Sequence, residues 1–152
     1  MFKCSRGAVG LFFALTHRSG FLVGLSTSRD VSWLEDSQHF ITVSRDKQVK
    51  LWRVGDDGQV AAVHVIAKLP ESATAVSVAS GPGAHLRLAV GMDNGAMAIF
   101  SSSGDVTSWT HVCDVPSDLA HRSTVRRLKW QPHTPKQVCV CERERERERE
   151  RE

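Results

Sequence analysis

The segment from residue 31 to residue 52, VSWLEDSQHFITVSRDKQVKLW, constrains the fold of this 152-residue chain more than any other stretch. It contains three short runs with strand character, which are residues 31–33, 39–43 and 48–52. The second and third runs alternate apolar and polar side chains, the period of a strand with one buried face. The segments Leu34–Ser37 and Ser44–Lys47 between the runs offer short polar side chains that can bond the backbone of a tight turn. Three antiparallel strands with two such turns predict a β-meander.

A similar unit follows, and the beginning of a third. Trp33, Val78 and Trp130 hold the same place in the three units, 45 and 52 residues apart. Internal periods of about 40–45 residues, lengthened by loops, are typical of β-propellers. In the second unit, strands are predicted over 74–78, 86–90 and 96–100, with Asn94-Gly95 in a tight turn. Outer fourth strands are predicted over 59–66 and 108–112.

The pattern is interrupted at both ends of the chain. After Pro132 we predict no second strand for the third unit, and we predict a disordered or helical charged tail over 134–152, which ends in alternating Glu and Arg. Residues 1–28 are an atypical N-terminal segment. Their basic start and short apolar run leave a secretory signal, a transit peptide and an unrelated beginning open. The run is too short to span a membrane.

Composition excludes few functions. A formal net charge of +3 is too small to indicate nucleic-acid binding by itself. The four cysteines include one Cys-x-Cys and no second pair at ligand spacing, so neither zinc nor a disulfide framework is predicted. We found no motif for phosphate binding, an iron–sulfur cluster or nucleophilic catalysis, and we predict no catalytic, cofactor-binding or metal-binding residue.

The segment around Ser-Arg-Asp-Lys-Gln-Val-Lys-Leu-Trp resembles a blade of the WD-repeat family. Asp46 matches the family's aspartate in the turn between the second and third strands, while Thr42 and Trp52 match the hydroxyl and the tryptophan of a buried hydrogen-bonded set. His121, nine residues before Trp130, matches the family's histidine. The first unit departs from the family pattern because it lacks the Gly-His pair, and Trp52 is followed by Arg53.

The resemblance implies an all-β fold, a partial WD-repeat β-propeller of about two and a fraction blades over 29–133. Four less generic segments occur in the same order as in one scaffold subunit of this family; they are Thr74–Val78, Ala89–Gly91, Trp109–His111 and Val125–Trp130. That likeness implies a non-enzymatic scaffold in a complex that modifies the wobble uridine of tRNA. Its partners would be the other subunits of the complex, with no cofactor, membrane, small-molecule substrate or direct nucleic-acid contact. The location implied is cytoplasmic, with the nucleus as a second compartment.

Three further expectations concern the uncovered blade faces, the environment of Asp46 and the alternative functions of this chain. Repeats of this kind stabilise one another by stacking, so we expect blade faces that include Phe40, Val90 and Ile99 to be left uncovered. We also expect Asp46 to be buried and bonded. Alternative functions remain open: an interaction module of another complex, a truncated chain without function, or an RNA binder that uses Arg122, Arg126, Arg127 and Lys129.

Overall fold

A computed structural model describes residues 28–81, 85–119 and 123–130, together with the backbone of one further strand at 138–141. This part of the chain contains ten strands and no helix. The strands are β1 Ser28–Trp33, β2 His39–Ser44, β3 Gln48–Val54, β4 Val60–Lys68, β5 Ala73–Ser80, β6 Leu86–Met92, β7 Met97–Ser102, β8 Thr110–Val115, β9 Arg127–Trp130 and β10 Val138–Cys141. Every pairing between them is antiparallel.

The first four strands form one sheet in the order β1-β2-β3-β4, which confirms the predicted meander. Trp33 lies opposite Phe40, and Phe40 lies opposite Trp52, so three aromatic residues align across three strands. The β2–β3 turn places Lys47 at a φ of 65°, in the left-handed region. The outer strand β4 pairs with β3 through two register shifts.

The next four strands repeat this arrangement in the order β5-β6-β7-β8. Their tight turn places Gly95 at a φ of 90° in the position that Lys47 holds in the first sheet. Glycine adopts this conformation without steric cost because it has no Cβ atom, whereas Lys47 adopts it despite the Cβ atom of its side chain. The two sheets therefore share one backbone conformation at this turn, and different residues occupy its left-handed position.

The third unit contributes β9 and β10, which pair from Val138 opposite Trp130 to Cys141 opposite Arg127. Our prediction that no second strand follows Pro132 was therefore wrong. Val138–Cys141 is a short run with two β-branched residues. The sequence between this run and β9 does not continue the strand pattern, so the place of Val138–Cys141 in the repeat was not recognised. The strand lies inside the segment predicted as a charged tail, and residues 142–152 lie outside the described part.

The first two sheets bury their apolar faces against each other. One cluster joins buried residues of both sheets, among them Ile41, Val43, Val49 and Leu51 of the first and Val76, Leu88, Val90 and Phe100 of the second. The inner strands β1 and β5 lie side by side. Burial of this kind is the main favourable term in folding, at about 25 cal/mol per Å² of apolar surface.

The opposite face of the second sheet packs on the third unit. Ala75, Ala89 and Met97 form a second cluster with Val125, Leu128 and Trp130. We call the contact between two consecutive units a seam. A Cβ atom on Gly91 would lie 2.3 Å from Cγ1 of Val125, so the close approach at the seam between the second sheet and the third unit requires glycine. The second sheet is thus covered on both faces.

These packings correct our expectation of uncovered blade faces. Phe40 is 2% exposed, Val90 is fully buried, and Ile99 is partly buried against the second cluster. Val90 and Ile99 are covered because a neighbouring sheet lies on each face of the second sheet. Phe40 lies between the rings of Trp33 and Trp52, at centroid distances of 5.0 and 6.2 Å.

Candidate functional site: blade turns and inter-blade seams

A buried polar pair closes the first sheet. The indole Nε1 of Trp52 donates to Oγ1 of Thr42 at 2.8 Å, and both side chains are buried. The Trp52 ring stacks on Phe40 with 9° between the ring planes. The pair satisfies two polar atoms that would otherwise be buried without partners. In the second sheet, Val90 and Phe100 stand at the corresponding positions, so no polar pair is needed there.

Asp46 organises the β2–β3 turn. Its carboxylate accepts from the backbone N–H of Gln48 at 3.0 Å, from Nζ of Lys50 at 3.0 Å and from the hydroxyl of Ser44. The side chain is 38% exposed, so our expectation that Asp46 is buried was wrong. It sits at the tip of a surface turn, where water reaches it. Asp46 therefore belongs to a turn network separate from the Thr42–Trp52 pair.

The pKa of Asp46 reflects this network. Partial desolvation raises it, but the hydrogen bonds from Ser44, Lys50 and Gln48 outweigh that effect and hold the pKa below its ordinary value. Asn94 occupies the same position in the second sheet and accepts from the backbone N–H of Ala96 at 3.0 Å. The turn thus requires an acceptor more than a charge. His121, the fourth residue predicted from the family pattern, lies outside the described residues.

A second set of bonds, which sequence reasoning missed, joins the first two sheets. Oδ2 of Asp30 accepts from the backbone N–H of Val76 at 2.9 Å, and Oγ of Ser32 accepts from that of Val78 at 3.1 Å. Side chains of β1 thus satisfy donors on the open edge of β5, where a paired strand would supply carbonyls. An aspartate inside a strand, where this residue is depleted, was the signal available in the sequence.

Burial perturbs the Asp30 carboxyl of this seam. Desolvation raises its pKa above the ordinary value of 3.8, while the N–H donors of Val76 and Val31 and the charge of Arg127 lower it by less. The carboxylate therefore carries a cost of burial that its hydrogen bonds only partly offset.

The second seam uses other residues. Oγ1 of Thr74 donates to the carbonyl of Val125 at 2.6 Å, and Nε1 of Trp130 donates to the carbonyl of Ser77 at 2.9 Å. The backbone N–H of Val125 donates to the carbonyl of Met92 at 3.2 Å. Each seam therefore combines apolar burial with a few hydrogen bonds between consecutive units.

The remaining chemistry of the described surface is modest. Two histidines pair with aspartates on exposed segments, His39 with Asp36 at 2.6 Å and His111 with Asp114 at 2.9 Å. Across the described residues, no group of three or more His, Cys, Asp or Glu side chains is placed to hold a metal ion. The same residues include no helix long and apolar enough to cross a membrane.

Consecutive four-stranded meanders, stacked face to face with their inner strands adjacent, define this structure as part of a β-propeller. The Thr42–Trp52 pair and the Asp46 turn give the first blade the character of a WD repeat. The predicted fold class, a partial propeller, is confirmed.

Within that class the chain is similar to Elongator complex protein 2 of several organisms. It is 30% identical to the zebrafish (Danio rerio) protein over 142 residues, 74% of this chain and 17% of that protein. Identity is 32% to the Drosophila melanogaster protein over 66% of this chain, and 30% to the Arabidopsis thaliana protein over 66%. No protein-family model matches the chain. The chain spans 17% or less of the length of these three relatives.

The polar pair of the first blade makes a prediction about stability. Thr42→Val leaves the Trp52 indole N–H buried without an acceptor, and we expect it to lower the free energy of unfolding by about 1–3 kcal/mol. Adding Trp52→Phe, which reproduces the Val–Phe chemistry of the second blade, should recover part of that loss. Urea denaturation of the single and double variants measures both effects. An additive double variant would show that the pair is not coupled.

The Asp46 turn makes a second prediction. Asp46→Ala removes an acceptor from an exposed turn, so we expect a loss of about 1 kcal/mol in the free energy of unfolding. Asp46→Asn is the matched control, because Asn94 fills the same position in the second blade. It should cost less than the alanine variant in the same urea titration. Equal losses from both variants would mean that the charge, rather than the acceptor, holds the turn.

The seam carboxylate makes a third prediction, for the dependence of stability on pH. Because folding raises the pKa of Asp30, its contribution is most favourable below pH 3.8 and declines as the pH rises through the folded pKa. Relative to Asp30→Asn, the unsubstituted chain should therefore lose stability across that window as the pH rises.

For Asp46, whose pKa is lowered by folding, the stability difference from Asp46→Asn should have the opposite pH dependence. Its contribution is present above pH 3.8 and is lost as the pH falls through the folded pKa. NMR titration of both carboxyls, with urea denaturation of each variant, tests the two directions.

Proposed function

We propose that this chain is a non-catalytic scaffold element of the Elongator complex and supports modification of the wobble uridine of tRNA through the other subunits. The observation that carries the proposal is the similarity to Elongator complex protein 2 in animals and a plant, over about two thirds or more of the chain. The partners are protein subunits of that complex. Neither membrane nor small-molecule substrate has a part in this function, and its compartment is the cytoplasm, with the nucleus as a second site.

The described surface is consistent with such a role. Propeller blades present broad surfaces of loops and strand edges around a rigid core, which suits binding of several proteins. The outer strand β4 is exposed and carries Val63 and Val65, which are 42% and 47% exposed. Exposed apolar side chains along an outer strand favour contact with protein partners.

The test is affinity purification of tagged residues 1–152 from cells, with identification of the proteins that accompany it. We expect the other Elongator subunits. Leu88→Arg is the control, since it places a charge in the fully buried position of Leu88 between the blades and should abolish their recovery. Recovery of subunits of a different assembly, or of chaperones alone, would contradict the proposal.

A further inference from the structure

The β6–β7 turn of the second blade contains the only asparagine of the sequence, Asn94, and Gly95 follows it directly. Asn94 is exposed, and its Oδ1 accepts from the backbone N–H of Ala96 at 3.0 Å. The N–H of Gly95 donates to the carbonyl of Met92 at 3.2 Å, at the long end of the range for such bonds. The side-chain amide of Asn94 is therefore turned forward along the chain, across the peptide nitrogen of Gly95.

A side-chain amide in this place can react with its own backbone. The nitrogen of Gly95 attacks Cγ of Asn94, so that an N–Cγ bond forms and the Cγ–Nδ2 bond breaks. The side-chain amino group takes up the proton that the Gly95 nitrogen gives up and leaves as ammonia, and a cyclic succinimide remains. Water then adds to either ring carbonyl. Cleavage of the new N–Cγ bond yields aspartate, whereas cleavage of the original peptide bond yields isoaspartate, in which the main chain runs through the side chain.

The geometry of the turn assists this ring closure. Negative charge develops on Oδ1 of Asn94 during the attack, and the N–H of Ala96 already points at that oxygen. A donor placed where charge develops lowers the barrier. Gly95 carries no Cβ atom that would crowd the attacking nitrogen. The reacting groups are neighbours held in one turn, so little entropy is lost when they meet.

Two other turns of the chain carry aspartate in this place. In the first blade, Asp46 presents a carboxylate, which is a poor electrophile because it is negatively charged, and Lys47 after it carries a side chain. Asp57 and Gly58 come closer to the Asn94 turn. Oδ1 of Asp57 accepts from the backbone N–H two residues further on at 3.0 Å, and Gly58 has a φ of 76°. The Asp57 turn thus matches the geometry without the amide and serves as an internal control.

We propose that Asn94 is a site of spontaneous covalent modification, at which the folded chain loses ammonia and forms aspartate and isoaspartate. Aspartate at this position keeps an acceptor for the Ala96 N–H, as Asp46 does in the first blade. It gains no cationic partner, because Ala98 stands where Lys50 supplies an ammonium group. The reaction needs only water, so it is independent of the assembly proposed above.

The isoaspartate product acts on the seam between the second blade and the third unit. Asp93, which precedes Asn94, accepts from the hydroxyl of Thr124 at its carbonyl (3.0 Å) and at Oδ1 (2.9 Å). The N–H of Asp93 donates to the carbonyl of Ser72 at 2.9 Å. Isoaspartate adds a methylene group to the main chain directly after Asp93, which shifts Gly95 out of its left-handed position. The modification therefore weakens the bonds of Asp93 and loosens this seam.

The test incubates the folded 152-residue chain at neutral pH and follows the tryptic peptide of residues 88–122 by liquid chromatography and mass spectrometry. We expect a first-order increase in the mass change from amide to carboxyl, with separate aspartate and isoaspartate forms. Isoaspartate should form in the peptide of residues 54–68, which holds Asp57, about tenfold more slowly or less, a difference of about 1.4 kcal/mol in the barrier. An unincubated sample measures what arises during digestion.

Asn94→Gln is the matched control, because it keeps the amide but must close a larger ring, and its peptide should not change in mass. The same chain unfolded in urea gives the rate without the turn, and we expect the folded chain to react at least as fast. The deamidated fraction, separated by ion exchange, should melt at a lower temperature than the Asn94→Asp variant, as followed by circular dichroism. Slower reaction in the folded chain than in urea, an equal mass change in Asn94→Gln, or equal melting of the deamidated fraction and Asn94→Asp would overturn the proposal.

Discussion

The structure depends on the burial of each blade against the next. A four-stranded meander has two faces, and the residues of one face cannot be buried within their own sheet. Ile41, Val43 and Leu51 of the first blade share a cluster with Leu88 and Val90 of the second, and that cluster is the largest apolar core described here. Hydrogen bonding inside each sheet fixes the blade's shape, but the seam supplies the apolar burial that makes the shape stable.

Polar groups inside the blades differ because the two blades share one backbone arrangement and fill it with different residues. The first blade holds a Thr–Trp hydrogen bond where the second has a valine and a phenylalanine. A charged aspartate in the first turn corresponds to an asparagine in the second, and both accept from a turn N–H. This arrangement specifies acceptors, donors and apolar volume at given places, and several residue types meet each requirement. This tolerance explains how repeats with little sequence in common keep one fold.

The inner strands show where that tolerance ends. Asp30 is held in a buried seam at a cost in desolvation, and two backbone N–H donors offset part of that cost. The equivalent residue is apolar at the next seam and cationic on the third unit. Each choice matches what covers the face: a strand edge with free N–H groups for Asp30, and packed side chains for Ala75. Arg127 of β9 is exposed, and its charge lowers the pKa of Asp30.

Much of this fold follows from the sequence alone. The alternation of apolar residues, the turn residues near Asp46 and Asn94, and the spacing of Trp33, Val78 and Trp130 determine strands, turns and repeat, because these are local properties of the chain. The pairing of Thr42 with Trp52 was implied by the resemblance to the WD-repeat family, and the structure shows the bond. Tertiary structure alone decided that Phe40 and Val90 are buried, that Asp46 is exposed, that Val138–Cys141 pairs with β9, and that Asp30 bonds to Val76. Each of these depends on which surface lies against which, and contacts between residues far apart in the chain leave no periodic signal in it.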